Sequence, residues 1–182
     1  TNSESLAEKM RCLRHHGMKQ KPDHGPWYHE MPELGYNYRA TDFQCALGLM
    51  QLQKLNRFVE KRQKLATYYD ELLKPLAPIV QTPLKDKNTK TGLHLYAVRI
   101  DFETLGISRS DLMLRLREKK IGTQVHYIPV HSQPYYRRCY GNIELPGADI
   151  YYERTLSLPL YPAMDKKDIL YIVEVLTQLI GK

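Results

Sequence analysis

From position 42 to about 73 the apolar residues Phe43, Leu47, Met50, Leu55, Val59, Ala66, Tyr69 and Leu73 keep a helical period through some eight turns. No other feature restricts the fold as much. Thr41 and Gln44 open the stretch with the T-x-x-Q spacing of a capping box, and Pro75 and Pro78 close it. The first part, FQCALGLMQL, is apolar almost all round and carries Cys45, Ala46 and Gly48, so it is expected to be buried and closely approached by other backbone. The later part, with Arg57, Glu60, Lys61, Arg62 and Lys64, turns one face to water. A bend between the two parts is expected.

The residues just before this helix, GYNYRATDFQ, place Asn37 and Arg39 next to its N-terminus. Unpaired backbone N–H groups there would point toward whatever these side chains hold, an arrangement that suits an anion. A tyrosine-rich loop with a solvated Arg39 beside a well-capped helix accounts for the same spacing. Upstream, Leu6, Met10 and Leu13 mark a short amphipathic helix over 3–15, ending at Gly17. Residues 19–38 read as a loop whose aromatic load, Trp27, Tyr28, Tyr36 and Tyr38, should pack on a partner or line a site.

Beyond position 75 the pattern predicts a polar turn over 86–92, a strand over 93–101, a helix from the Ser108 cap to Lys120 with Asp111 at its third position, and a second strand over 121–127. A long loop over 128–146, a short helix over 145–156, an extended SLPL and a C-terminal amphipathic helix over 166–180 begun at Asp165 complete a small α/β sandwich. The segment QVHYIPVHSQPYYRRCY concentrates His126, Tyr127, His131, Gln133, Tyr135 and Tyr136 at a strand end, where a scaffold can aim hydrogen-bonding rings. A proline-kinked loop with packed tyrosines is the alternative, because His126 has no visible acid or nucleophile beside it.

Composition removes several classes. The formal charge of +7 on 182 residues comes from Lys and Arg interleaved with Glu and Asp, as in Arg115-Leu116-Arg117-Glu118-Lys119-Lys120, which reads as solvated helix faces and not as a nucleic-acid surface. No apolar run approaches the ~20 residues of a membrane span, so a soluble chain outside the membrane is expected. Cys12, Cys45 and Cys139 are odd in number and far apart, which points to a reducing, cytoplasmic setting and to packing roles. His15, His16, His24 and His29 lack the spacing of a zinc site, so no metal is expected. There is no G-x-S-x-G and no Gly-rich phosphate loop.

Taken together, His16-Gly17, Gly35-x-Asn37-x-Arg39, the helix with ALGLMQLQKL, and then HLYAVRI, IGTQVHYIPVH, QPYY and LSLPLYP resemble, in the same order, the DegT/DnrJ/EryC1/StrS family of sugar aminotransferases. The resemblance covers essentially the whole chain. GPWYHEMPELGYNYR with VHYIPVHSQPYYR is most similar to the branch of 4-aminotransferases acting on UDP-4-keto-6-deoxy-N-acetylhexosamines, as in pseudaminic acid biosynthesis. It implies a type I (aspartate aminotransferase-like) α/β fold, pyridoxal phosphate, a homodimer with a shared active site, and transfer of an amino group from glutamate to a UDP-linked keto sugar. It also implies that Asn37 reaches across the dimer to the cofactor phosphate, with Arg39 nearby on phosphate or substrate diphosphate. Tyr38, His126, Tyr127 and Tyr135 would face the nucleotide sugar.

The resemblance implies a division as well: 1–40 ending the large domain with the active-site loop, 41–75 a long bent interdomain helix, and 76–182 the small C-terminal α/β domain. In the family the Schiff-base lysine stands in an H-x-x-K segment ahead of the stretch that begins here with Thr1-Asn2, and Lys9, Lys19 and Lys21 are not in that context. The chain is therefore expected to be cut from something longer and to be inactive alone. A sugar dehydratase of the same superfamily, in which histidine replaces that lysine, and a free-standing basic binding module are the competing readings.

Overall fold

The computed structural model describes residues 1–86, 88–89 and 91–181. The chain folds as two compact units, Thr1–Lys54 and Leu55–Lys182.

In the first unit, helix α1 (Glu4–Arg14) starts at Ser3, whose side chain accepts from the Leu6 N–H, and carries Arg11 and Arg14 in its last turn, where cations complement the dipole. A two-stranded antiparallel ribbon follows, β1 (Lys19–Gln20) and β2 (His29–Glu30), with Lys19 opposite Glu30. Its strands are two polar residues each, too short to announce themselves by alternation in what reads as a loop. Helix α2 (Asp42–Leu52) begins with the full capping box: Thr41 Oγ1 accepts from the Gln44 N–H at 3.3 Å, and Gln44 Oε1 accepts from the Thr41 N–H at 2.9 Å. The expected burial of α2 is not found. Phe43, Leu47, Leu49, Met50 and Leu52 are all exposed, as is Cys45. An all-round apolar sequence says that a helix needs covering, and this unit supplies no element that covers it.

The second unit starts at α3 (Leu55–Leu73), so the long apolar period is two helices separated at Gln53 and Lys54. A 3-10 turn over Lys74–Leu76 ends α3 at its prolines. Strand β3 (Val80–Gln81) follows, then β4 (Tyr96–Ile100), the short α4 (Phe102–Leu105), α5 (Arg109–Glu118), α6 (Pro134–Tyr140), α7 (Pro146–Arg154), β5 (Thr155–Leu158) and α8 (Lys166–Leu179). Lys87 and Lys90, within the polar turn read over 86–92, lie outside the described residues. The sheet is antiparallel in the order β3-β4-β5, with Val80 opposite Ile100 and Tyr96 opposite Leu158.

Four sequence expectations change here. Residues 121–127 are not a strand: Gln124 alone bridges Ser157, because one pair of ladder bonds is all the segment makes with β5. The 128–146 segment is not a plain loop, since Pro134 at the first helical position starts α6. Helix α7 ends at Arg154, and Thr155 and Leu156, read as helical, pass into β5. Cys139 lies exposed in α6 and takes no part in packing, whereas Cys12 in α1 is buried.

The core is built by α3, α5 and α8 with the sheet. Tyr96, Val98 and Ile100 alternate inward along β4, and Tyr69, Leu73, Leu112, Leu116, Ile169 and Leu176 supply helix surfaces that exclude solvent completely. Asp165 caps α8 by accepting from the Lys167 N–H at 2.7 Å and the Asp168 N–H at 3.2 Å. Replacing Asp165 with alanine is expected to cost about 1 kcal/mol of unfolding free energy, read as a lower urea midpoint; an unchanged midpoint would contradict the capping role.

Candidate functional site

Two glycines bring the Asn37–Arg39 segment against α1. Gly17 has φ +70°, and a Cβ there would lie 1.8 Å from the Glu33 carbonyl oxygen; a Cβ on Gly35 would lie 2.0 Å from the Gly17 nitrogen. Only backbones without side chains can meet this closely. Across the contact, His16 N–H donates to Tyr36 O (2.8 Å), Tyr36 N–H to Leu13 O (2.7 Å) and Tyr38 N–H to Arg14 O (3.0 Å). His15 and Asn37 form an antiparallel bridge. The loop is thereby clipped to the end of α1 and is not a free connection.

On this support residues 37 and 39 share a face, as alternate residues of extended chain do. Arg39 Nε donates to Asn37 Oδ1 at 3.1 Å, and Arg39 Nη2 lies 3.5 Å from His16 Nε2. Because the Asn37 carbonyl oxygen takes the guanidinium, its NH₂ remains as a donor, beside the further N–H groups of Arg39. Both side chains are exposed. Their donors suit a phosphate: a cation with several N–H groups and a neutral amide beside it. The N-terminus of α2 contributes less than its position suggested, since its capping box occupies the Gln44 N–H and Asp42 adds an acidic group to the first turn. Tyr38 stacks on Tyr36 with ring centres 4.8 Å apart.

The other sequence-predicted residues lie in the second unit. His126 and Tyr127 are joined by a cis peptide and meet edge to face at 4.7 Å, with Tyr127 exposed and His126 half-buried. Tyr135, at the start of α6, is exposed and contacts Tyr136 edge to face at 5.3 Å. The stiff loop between them is pinned by His131, whose Nε2 lies 3.2 Å from Asp149 Oδ1 on α7. His126 lines an open pocket of about 260 Å³ with His94, Thr123, Gln124 and Ser157.

One residue that sequence reading missed stands behind His126. Ser157, in β5, is 6% exposed, and its Oγ is 2.9 Å from His126 Nδ1. The available signal was a serine inside an otherwise apolar run. Arg109 supports that strand from behind: it donates to the carbonyl of Tyr152 and, at 3.3 Å, to that of Thr155, and stacks over the Tyr152 ring at 4.7 Å.

The histidines of the first unit have other occupations. His24 stacks on Tyr28, His29 Nδ1 lies 2.7 Å from Trp27 O, and His15 packs edge to face on His16. Among the described residues no group of three or more His, Cys, Asp or Glu is placed to hold a metal ion. Nor, among them, is any helix long and apolar enough to cross a membrane.

Comparison with known proteins places the chain in a family. The profile of the DegT/DnrJ/EryC1/StrS aminotransferase family matches residues 1–177. The spore coat polysaccharide biosynthesis protein SpsC of Bacillus subtilis is 36% identical over 188 residues, covering 99% of this chain and 48% of SpsC. The UDP-4-amino-4,6-dideoxy-N-acetyl-beta-L-altrosamine transaminase of Campylobacter jejuni is 35% identical over 182 residues, covering 100% of this chain and 47% of the transaminase. Among solved structures, Helicobacter pylori PseC, an aminotransferase of pseudaminic acid biosynthesis, superposes with a TM-score of 0.88 at 28% identity, covering 100% of this chain and 47% of PseC. The chain thus spans about half the length of the relatives it matches, and its fold is the C-terminal portion of the type I pyridoxal-phosphate aminotransferase fold.

Proposed function

Because the chain belongs to the DegT/DnrJ/EryC1/StrS aminotransferase family, we propose that it is the C-terminal portion of an enzyme that moves an amino group from glutamate to a UDP-linked 4-keto-6-deoxy sugar. Members of the family are sugar aminotransferases that bind pyridoxal phosphate or its amino form. When bound, that cofactor supplies the electron sink for amino transfer. This chain would contribute part of what holds it.

Asn37 would present its amide to the cofactor phosphate of a second copy across a homodimer, in an orientation the Arg39 hydrogen bond fixes, and Arg39 would bring its permanent charge to that phosphate or to the substrate diphosphate. His126, Tyr127, Tyr38 and Tyr135 offer rings and hydroxyls to the nucleotide sugar, chemistry that suits a uridine and a hexose. The observation that carries this reading is the Asn37–Arg39 pair, held by the Gly17–Gly35 contact in a segment that matches the family throughout. The division into 1–40, 41–75 and 76–182 belongs to the same proposal. So does the expectation that these 182 residues alone do not transaminate.

The test is a chimera in which this chain replaces the matching 182 residues of the Campylobacter jejuni transaminase. It is expected to aminate a UDP-linked 4-keto sugar with glutamate as donor. Arg39→Ala or Asn37→Ala is expected to weaken cofactor retention roughly 10- to 100-fold, as loss of a charge-assisted hydrogen bond does, while Thr41→Ala should leave it unchanged. A folded, dimeric chimera that retains cofactor equally well with Arg39→Ala and Asn37→Ala would overturn the assignment.

A further inference from the structure

The backbone of Ser157 exchanges both hydrogen bonds with Gln124: Ser157 N–H donates to Gln124 O at 2.8 Å, and Gln124 N–H donates to Ser157 O at 3.3 Å. This single bridge sets the register that brings His126, two residues on, over the Ser157 side chain. Ser157 is buried, and among the described residues its hydroxyl has one partner, His126 Nδ1 at 2.9 Å. A buried hydroxyl proton without an acceptor is costly, and Nδ1 is the acceptor in reach. If Nδ1 carried the proton instead, the Ser157 hydrogen would have no protein acceptor among the described residues.

We infer that Ser157 is a positioning residue that donates to His126 Nδ1 and so holds the neutral ring as the Nε2–H tautomer. The consequence concerns what the site can take. Nε2 has no partner among the described residues, and the His126 side chain lines the open pocket beside Thr123 and His94. In this tautomer His126 offers a hydrogen-bond donor and cannot accept a proton at Nε2. It therefore fits an acceptor oxygen of a ligand, such as a hydroxyl, a carbonyl or a phosphate oxygen. It does not act as a general base through that atom. Only the identity of the ligand rests on the proposed function; the tautomer does not.

The experiment is a long-range proton–nitrogen correlation spectrum of the full 182-residue chain labelled with ¹⁵N-histidine, at a pH well above ordinary histidine titration. His126→Gln assigns the ring by loss of its signals. Nδ1 is expected to appear unprotonated and Nε2 protonated. Ser157→Ala should shift the Nδ1 resonance toward that of free imidazole, and Ser157→Thr, which keeps the hydroxyl, should restore it. A protonated Nδ1 in the unaltered chain, or an Nδ1 resonance that Ser157→Ala leaves in place, would overturn the inference. Should Ser157→Ala fail to fold, the spectrum of the unaltered chain decides alone. Uridine diphosphate added to the same sample reads the ligand assignment separately: a His126 Nε2 signal that it does not move counts against the proposed function and leaves the tautomer standing.

Discussion

Gly35→Ala is expected to destabilise the first unit by on the order of 3 kcal/mol or more and to release the segment that carries Asn37 and Arg39. The added methyl would sit 2.0 Å from the Gly17 nitrogen and 2.6 Å from the His16 carbonyl carbon, both backbone atoms with no rotamer to change. The two backbone segments must separate by more than an ångström to reach ordinary contact distance. That movement breaks the His16–Tyr36, Tyr36–Leu13 and Tyr38–Arg14 hydrogen bonds together. Hydrogen exchange is the suitable reading: the amides of His16, Tyr36 and Tyr38 should lose their protection, while those of β4 and β5 keep theirs. Retained protection at all three would show that the glycine contact does not position the loop.

Tyr96→Ala should have a comparable effect on the second unit, about 3–5 kcal/mol. Tyr96 is fully buried, its ring stacks on Tyr69 with centres 4.6 Å apart, and its hydroxyl donates to Asp70 Oδ1 at 2.6 Å. Asp70 is in turn paired with Lys85, and Tyr69 donates to the carbonyl of Pro159 at 3.0 Å. Burial pushes the Tyr96 phenol well above the ordinary tyrosine range, and the hydrogen bond to Asp70 and its charge add to the shift. Tyr96 therefore stays a neutral donor through the working pH range. Truncation opens a ring-sized cavity between α3 and β4 and removes one partner of Asp70 together. Tyr96→Phe separates the two effects, since it keeps the ring and costs only the polar part, about 1–3 kcal/mol. Urea unfolding followed by circular dichroism measures both; equal midpoints for Tyr96→Ala and the unaltered chain would contradict this view of the core.

Local rules made the helix starts legible. Thr41, Ser108 and Asp165 each cap the helix that the sequence places after them, because a cap and the N–H it satisfies lie within three residues. The sheet was less legible. Ile121 and Val125 have strand-forming side chains, but pairing needs a neighbour far along the chain, and of residues 121–127 Gln124 alone bridges to β5, at Ser157. Apolarity likewise told that α2 requires a covering surface without telling whether this chain contains one. At the site, Asn37 and Arg39 could be read from their motif, whereas the reason for Gly35 lies in a backbone contact with Gly17 that spacing does not reveal. Ser157 stayed hidden for a similar reason, as its partner His126 is 31 residues away.

The reading of Asn37 and Arg39 as phosphate holders is tested most directly by nuclear magnetic resonance titration of the cofactor-free chimera with pyridoxamine 5'-phosphate, using pyridoxamine as the control. The amine form avoids random reaction with lysines, and the control differs only in the phosphate. Signals of Asn37 and Arg39, including the Asn37 side-chain amide and Arg39 Nε, are expected to move with pyridoxamine 5'-phosphate and to stay in place with pyridoxamine, and in Arg39→Ala the Asn37 signals should lose their response. Equal movement with both compounds, or none at these two residues with either, would contradict it.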